Sequence, residues 1–338
     1  MDEIKKELIS SERPLFFFHD DADGLASYLQ FYKQVNRGKW IIVKSTPQVT
    51  EKFLRTVNEY NPDKIFVLDL AMIDQEFVDK ANKKIIWLDH HELSQTKGTK
   101  YFNPKQNNPK AVTCIAKLSY DIFQDNSWIA AVGTIGDWQL PSDLKEKIEK
   151  DYPGLLGTDT KTAPQALFET KVGTLAKIFN FILKGETKHI HKAVTCLTRV
   201  NDPYEILNQT TEEGKLIYKK YMEVNKEYES LLKDAEKKAS EDKLLVFTYE
   251  ENKISLSGEL SNELLYRFPD KVIVIARHHM GEMKTSFRSG KNIKVRDVLD
   301  KAMVGVSGRF GGHEHACGGL IKDYDWERLL DNMRNVLN

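Results

Sequence analysis

Leu15-Phe16-Phe17-Phe18-His19-Asp20-Asp21-Ala22-Asp23-Gly24 is the stretch whose reading decides how this chain folds. Its apolar run, 15–18, reads as a short strand buried on both faces, as strands of a covered parallel sheet are. Leu25, Tyr28, Leu29 and Tyr32 then recur at helical spacing and predict a helix over Ala22–Val35. Working outward, strands are expected at Trp40–Val43, 64–68 and 85–88, with helices near Thr50–Tyr60 and Asp74–Ala81. That alternation predicts a mostly parallel sheet with flanking helices. Residues 111–135 read as two apolar helices, the second running into Asp137.

From 142 to 202 the pattern is helical with few chemical signals, as in a helical cap or insertion. Glu212 to Asp242 is highly charged but keeps Leu216, Tyr221, Val224, Tyr228, Leu231 and Leu232 on one side. A long solvated connecting helix is expected there, with a disordered linker as the alternative. A second α/β unit follows: strands at Leu244–Phe247, Val272–Ala276 and Met283–Arg288, and helices at Glu259–Phe268, Val295–Met303 and Glu327–Leu337. The domain expectation is therefore 1–210 catalytic with a helical insertion, 211–242 connecting helix, and 243–338 a smaller C-terminal substrate-binding α/β domain.

Bulk properties narrow the field without deciding it. With 338 residues, 41% apolar and 30% charged, the composition is that of a globular protein of about two domains. Lys+Arg and Asp+Glu balance at 50 each, so a polyanion would need a local patch. One lies between Lys271 and His315, with Arg277, Lys284, Arg288, Lys291, Lys294, Arg296, Lys301 and Arg309 against Glu282, Asp297, Asp300 and Glu314. Three scattered cysteines suggest neither a disulfide framework nor a thiolate zinc site. The polar start is unlike a signal peptide and no apolar run would span a bilayer, so a cytoplasmic location without membrane association is expected.

Four acidic and histidine clusters carry the chemistry: His19 to Gly24, Asp69, Asp89-His90-His91, and Asp137 after Gly133-Thr134-Ile135-Gly136. Taken singly, three of them have a plain structural explanation, as a helix cap, a strand-end residue or a helix-end residue, while Asp89-His90-His91 is harder to dismiss. Taken together, three of them follow buried strands, and strand C-terminal ends converge in one crevice in open α/β sheets. So many ionisable groups in one place need cations. Carboxylate and imidazole ligands without thiolate favour Mn²⁺ or Mg²⁺, with Co²⁺ or Zn²⁺ as substitutes. Six ligand groups suit two ions ~3.5–4 Å apart sharing a carboxylate, the arrangement that hydrolyses phosphoesters.

These clusters resemble the motifs of the DHH phosphoesterase superfamily, whose signature triplet stands here as Asp89-His90-His91. Ser286-Phe287-Arg288-Ser289 and Gly311-Gly312-His313-Glu314-His315-Ala316-Cys317-Gly318 resemble the SxRS and GGGH segments of the domain that usually accompanies it. Phe310 stands where the family often has a third glycine. The resemblance implies that His19, Asp21 and Asp69 hold one metal, and Asp23, Asp69, His90 and Asp137 the other, with Asp69 bridging. It implies catalytic roles for Asp137 and for His91, which would face the scissile phosphate. Ser286, Arg288, Ser289, Gly311, Gly312 and His313 would bind substrate, facing the metals across an interdomain cleft. Glycines let the backbone approach a phosphate, and arginine offers it a planar fork. Phe287 and Phe310 could stack on a base or be core residues.

Within the superfamily, pyrophosphatases carry a histidine four residues before the Asp-x-Asp pair; here Phe17 holds that place and His19 sits two before Asp21. The His-x-Asp-Ala-Asp-Gly form looks most like archaeal RecJ-like proteins. The expected activity is thus a Mn²⁺-dependent, RecJ-like exonuclease releasing nucleoside 5′-monophosphates from single-stranded DNA or RNA. The chain stops soon after the GGH segment, which tilts the expectation toward short oligonucleotides. The alternatives are a nano-RNase, a small-nucleotide phosphatase or cyclic-dinucleotide phosphodiesterase, and an inactive replication scaffold. A replication or repair protein is a further candidate partner.

Overall fold

A computed structural model describes residues 1–44, 48–250 and 254–337. The chain divides into two compact units, Met1–Tyr221 and Met222–Asn338. The first begins with helix α1 (Asp2–Ile9) and then alternates strands and helices: β1 (Pro14–His19), α2 (Ala22–Val35), β2 (Lys39–Val43), β3 (Gln48–Val49), α3 (Leu54–Tyr60), β4 (Lys64–Leu68), β5 (Met72–Ile73), α4 (Gln75–Ala81), β6 (Lys84–Leu88) and β7 (Lys100–Phe102). Five strands form one parallel sheet in the order β2-β1-β4-β6-β7.

Phe16, Phe17 and Phe18 show why β1 is an interior strand of that sheet, covered on both faces. Phe16 and Phe18 pack on Tyr28 of α2, while Phe17 meets Phe53 and Phe77 on the opposite face. All three are fully buried, each contributing ~1.5–3 kcal/mol of hydrophobic stabilisation. Because β1 leads to β2 on one side and the chain then crosses to β4 on the other, the strand order reverses between β1 and β4. A crevice opens at such a switch point, beyond the C-terminal strand ends.

Helices α5 (Ile115–Phe123), α6 (Ser127–Gly136), α7 (Ser142–Asp151), α8 (Ala163–Glu169), α9 (Lys171–Ile182), α10 (Thr187–Leu197) and α11 (Pro203–Leu207) complete this unit. The region with few chemical signals thus has a clear structural role: α9 buries Val172, Leu175, Ile178 and Phe179 and packs against α6 and α2. The charged stretch after residue 211 is one continuous helix, α12 (Glu212–Glu236), rather than a disordered linker.

The second unit holds β8 (Leu244–Glu250), α13 (Ser257–Arg267), β9 (Val272–His279), β10 (Glu282–Ser289), α14 (Val295–Ala302), β11 (Gly308–His313), β12 (Ala316–Lys322) and α15 (Trp326–Leu337). Its sheet runs β11-β12-β10-β9-β8, with only β8 and β9 parallel. Helices α14 and α15 cover one face through Val298, Leu299, Leu329 and Met333 against Val274, Phe287 and Ile321. Helix α13 covers part of the other face, over β9 and β10. No helix among the described residues is long and apolar enough to cross a membrane.

Candidate metal centre

His19 ends β1, and Asp21 caps the N-terminus of α2 by accepting from Gly24 N at 2.9 Å. A Cβ on Gly24 would lie 2.4 Å from the His19 carbonyl oxygen, so only glycine lets the helix start so close to the strand. Asp21 is therefore a cap, but with one oxygen only. Its Oδ2 lies 2.6 Å from His19 Nδ1. Asp23 caps a different helix: its two oxygens accept from Ile115 N and Ala116 N, at 3.0 and 2.6 Å, at the start of α5.

Asp69 follows β4 in left-handed backbone, φ 56°, a conformation uncommon for a residue with a side chain and concentrated at functional sites. The strained turn is fixed by Asp69 N–H donating to Leu88 O at 3.0 Å. It places a fully buried carboxylate between two imidazoles, 3.5 Å from His19 Nδ1 and 3.3 Å from His90 Nε2. Asp137 arrives from elsewhere in the chain, at the C-cap of α6. A Cβ on Gly133 would stand 2.5 Å from the Ala116 Cβ and 2.7 Å from that of Ala26, so glycine lets α6 lie directly on α2 and α5. Asp137 Oδ2 thereby reaches 3.9 Å from His90 Nδ1, while Asp23 Oδ2 is 3.9 Å from His90 Nε2.

Charge in this crevice is strongly perturbed. Burial pushes the Asp137 carboxyl up to about 7, Asp69 and Asp21 adding to the rise and His90 opposing it. Burial also raises Asp23, well above the usual carboxylate range, with Asp69 and Asp137 repelling its charge. For Asp69 burial acts in the same direction, but the His19 and His90 imidazoles outweigh it and hold the carboxyl low. The imidazoles mirror this: burial opposes their charge, yet carboxylates raise His90 to about 10 and His19 well above its ordinary value. His19 Nδ1 and Asp69 Oδ1 are buried and face other candidate ligands, Asp21 Oδ2 at 2.6 Å and His90 Nε2 at 3.3 Å respectively. Buried ligand-type atoms turned toward one another and carboxyls that resist ionisation are what a site built for divalent cations shows in protein atoms alone.

Three groups have ligand atoms within 4.8 Å of one another: His19, Asp21 and Asp69; Asp69, His90 and His91; and Asp23, Cys114 and Asp137. All six expected ligand residues are thus brought into one crevice, with Asp69 common to two groups. Four further residues support them. Asp89, fully buried, accepts from His91 N at 3.2 Å and lies 2.7 Å from His91 Nδ1, fixing the ring and leaving Nε2 available. Asn103 and Tyr101 in turn donate to Asp89 Oδ2, each at 3.2 Å. Gln139 donates to Asp137 Oδ2 at 2.7 Å and accepts from Cys114 N. Asp89 was visible as the head of its triplet; Gln139 and Asn103 carry no sequence signal.

The C-terminal candidates separate by strand alternation. Ser286 and Arg288 point to the face that α13 partly covers, where Ser286 Oγ bonds Ser261 Oγ at 2.8 Å and Arg288 Nε donates to Asn262 Oδ1 at 2.8 Å. A further Arg288 bond, to Phe287 O at 2.9 Å, fixes its guanidinium, whose pKa burial lowers. Gly311 and His313 lie on edge strand β11 and are exposed, with His313 opposite Ala316. Ser289 is on the other face, donating to Ile293 O at 2.6 Å and accepting from Val295 N, so its hydroxyl secures the following turn. Gly312 has φ 141°, and a Cβ there would meet Ala316 O at 2.3 Å; its need for glycine is internal. These glycines form an extended strand rather than the anion nest expected from the sequence. Phe287 and Phe310 both belong to the core side, which removes them as base-stacking platforms.

The sequence matches the DHH family, N-terminal domain, over residues 15–156 and the DHHA1 domain over 241–338. No curated protein is a significant sequence match. Among solved structures, the fold is similar to RecJ from Thermus thermophilus in complex with Mn²⁺, with a TM-score of 0.67 and 16% identity over 99% of this chain and 53% of that one. This chain therefore spans about half the length of that relative. An exonuclease RecJ bound to manganese gives 0.62 and 16%, covering 99% and 92%. The pGpG-specific phosphodiesterase PggH from Vibrio cholerae gives 0.52 and 12%, covering 97% and 99%. At these identities the likenesses speak for the fold. Family match, fold and the crevice of converging carboxylates and imidazoles agree: the chain belongs to the DHH family of metal-dependent phosphoesterases.

Proposed function

We propose that this protein is a RecJ-like exonuclease that hydrolyses single-stranded DNA or RNA to nucleoside 5′-monophosphates. The observation that carries the choice of a polymer is the C-terminal sheet: β11 and β12 present exposed Arg309, Gly311, His313 and Gly318 on the part of the face beyond α13. A flat basic face suits a strand lying across it better than a small nucleotide needing enclosure.

In this reading His19, Asp21 and Asp69 hold one divalent cation, and Asp23, Asp69, His90 and Asp137 the other, Mn²⁺ foremost, with Mg²⁺ or Co²⁺ as substitutes. The pair would supply an activated water and neutralise charge developing on phosphate oxygens. The protein's own groups do the rest. His91, oriented by Asp89 through Nδ1, presents Nε2 to the scissile phosphate as a donor. Asp89 is a positioning residue. Gln139 holds Asp137 in place. Arg288 and His313 grip a substrate phosphate, with Gly311 leaving room for its approach.

Purified protein with Mn²⁺ is expected to shorten oligonucleotides labelled separately at each end, and the ladder reports polarity and the preference for DNA or RNA. Asp137→Ala should abolish shortening; undiminished activity in that variant overturns the proposal. A second reading, a nano-RNase or a cyclic-dinucleotide or other small-nucleotide phosphodiesterase, draws support from the likeness to PggH, which this chain matches along nearly its whole length. Faster turnover of dinucleotides or 3′-phosphoadenosine phosphate than of longer strands would favour it.

A further inference from the structure

The nine cations that the sequence gathers between Lys271 and Arg309 do not form one patch. Lys291, Lys294 and Lys301 stand with Lys243 around a hollow shared with Asp270 and Asp297. Lys284 and Arg309 instead join Arg288 on the α13 side of the sheet, as alternation along β10 and the register to β12 and β11 require.

On that face the cross-strand register produces ordered rows. Arg288, Ala316 and His313 form the first; Ser286, Gly318 and Gly311 the second; Lys284, Leu320 and Arg309 the third. In the fourth, Glu282 pairs with Lys322 at 2.7 Å and also feels the charge of Arg309 and Lys284. Two cationic rows thus flank a row with almost no side chains. A Cβ on Gly311 would meet nothing within 4 Å, and one on Gly318 only Thr285 O at an ordinary 3.7 Å. Packing does not require glycine at either position, whereas it does at neighbouring Gly308, Gly312 and Gly319. The room above Gly311 and Gly318 is therefore kept for something outside the chain.

Dimensions identify it. At ~3.4 Å per residue, the first and third rows are ~13 Å apart, beyond the reach of one phosphate held by the fixed Arg288 guanidinium. Strands ~4.8 Å apart put Lys284 and Arg309 ~10 Å from each other across Leu320, so both long side chains can clasp one oxyanion. We propose that Lys284 and Arg309 form a second phosphate site, which binds a phosphate two nucleotides further along the strand whose end phosphate lies at Arg288 and His313, with the connecting nucleotides passing over the Gly311–Gly318 floor. The site rests on the exonuclease reading and adds a length requirement to it: a trinucleotide reaches both rows and a dinucleotide does not.

The test uses full-length protein with Mn²⁺ and 5′-phosphorylated, fluorescein-labelled di-, tri- and decanucleotides, with binding followed by anisotropy in the Asp137→Ala background to prevent cleavage. The pair Lys284→Gln and Arg309→Gln should weaken tri- and decanucleotide binding about tenfold and leave dinucleotide binding unchanged. The slope of log affinity against log salt for the decanucleotide should fall by about 0.7 per contact removed. Arg309→Gln alone, at an exposed edge position, should give about half the slope change. Lys291→Gln with Lys301→Gln should leave the length dependence untouched. An equal loss at all lengths, or an unaltered decanucleotide slope, overturns the second site. Wild-type protein that binds with this length dependence but does not cleave would overturn the exonuclease reading alone; wild-type protein that binds no decanucleotide overturns both.

Discussion

The crevice of the parallel sheet and the cationic face of the mixed C-terminal sheet are opposites in construction. The first buries carboxylates and imidazoles around a strained Asp69 backbone, with Asp69 Oδ1 3.3 Å from His90 Nε2. The second exposes cations over glycines, in unstrained extended strand at Gly311 and Gly318. One concentrates carboxylates whose charge burial and mutual repulsion oppose, and the other sets out positive charge in spaced rows. Pre-organisation is thus expensive in the crevice, where desolvated charges are held together by packing, and cheap on the sheet face, where water screens them.

The sharpest way to break this contrast is Asp69→Asn. Removing the carboxylate common to two ligand groups should lower Mn²⁺-dependent phosphodiester hydrolysis on the order of 10³-fold or more, equal to at least ~4 kcal/mol of lost transition-state stabilisation. A fall of only a few-fold would show that Asp69 is not shared. Asp89→Asn should cost on the order of 10- to 100-fold in activity. Since Asp89 acts through His91, the pH profile of turnover should move as well, which a purely structural role would not produce.

Metal affinity gives the next measurement. Asp137, raised to about 7, and Asp23, raised further above its ordinary range, must both lose protons to become ligands. Mn²⁺ affinity should therefore climb as pH rises through about 7, with protons released on binding, as calorimetry in two buffers of different ionisation enthalpy would register. The same carboxyls have higher pKa values folded than unfolded, so without metal they stabilise the fold below their unfolded range and progressively less as pH rises through about 7. A metal affinity flat across that interval would remove the proposed ligands from consideration.

The smallest expected effect lies away from both sites. Glu7 bonds Lys100, Lys64 and Lys84 at the N-terminal side of the parallel sheet, and these ammonium groups hold its pKa down to about 2. Being depressed on folding, this carboxylate contributes stability that is complete above about pH 4.5 and disappears as pH falls through about 2. Glu7→Gln should cost about 1–2 kcal/mol at neutral pH and almost nothing in strong acid, measured by urea unfolding, without altering metal affinity.

Much of the architecture was legible because its periodicities are local. The helix over Ala22–Val35 and the strand over Lys64–Leu68 lie where their apolar patterns put them. Strands β11 and β12 were not legible, since Gly311, Gly312, Gly318 and Gly319 erase the alternation that marks a strand, and read instead as a phosphate loop. The ligand types of the crevice were likewise visible at strand ends, but not that Asp21 and Asp23 also cap two different helices. Capping of α5 by Asp23 joins residues more than ninety positions apart, and no local pattern encodes it.

By itself the sequence determined which elements form, that carboxylates and imidazoles follow the strands, and that a cationic stretch lies near the C-terminus. Those follow from residue type and spacing along one backbone. Tertiary structure decided which groups meet: that Asp69 stands between His19 and His90, that Gly133 lets Asp137 reach the same crevice, and that Lys284 and Arg309 share a face with Arg288 while Lys291 and Lys301 do not. Coulombic attraction, ligation and phosphate recognition act through distances in space, and those distances are fixed only when helices close on the sheet and the strands take their register.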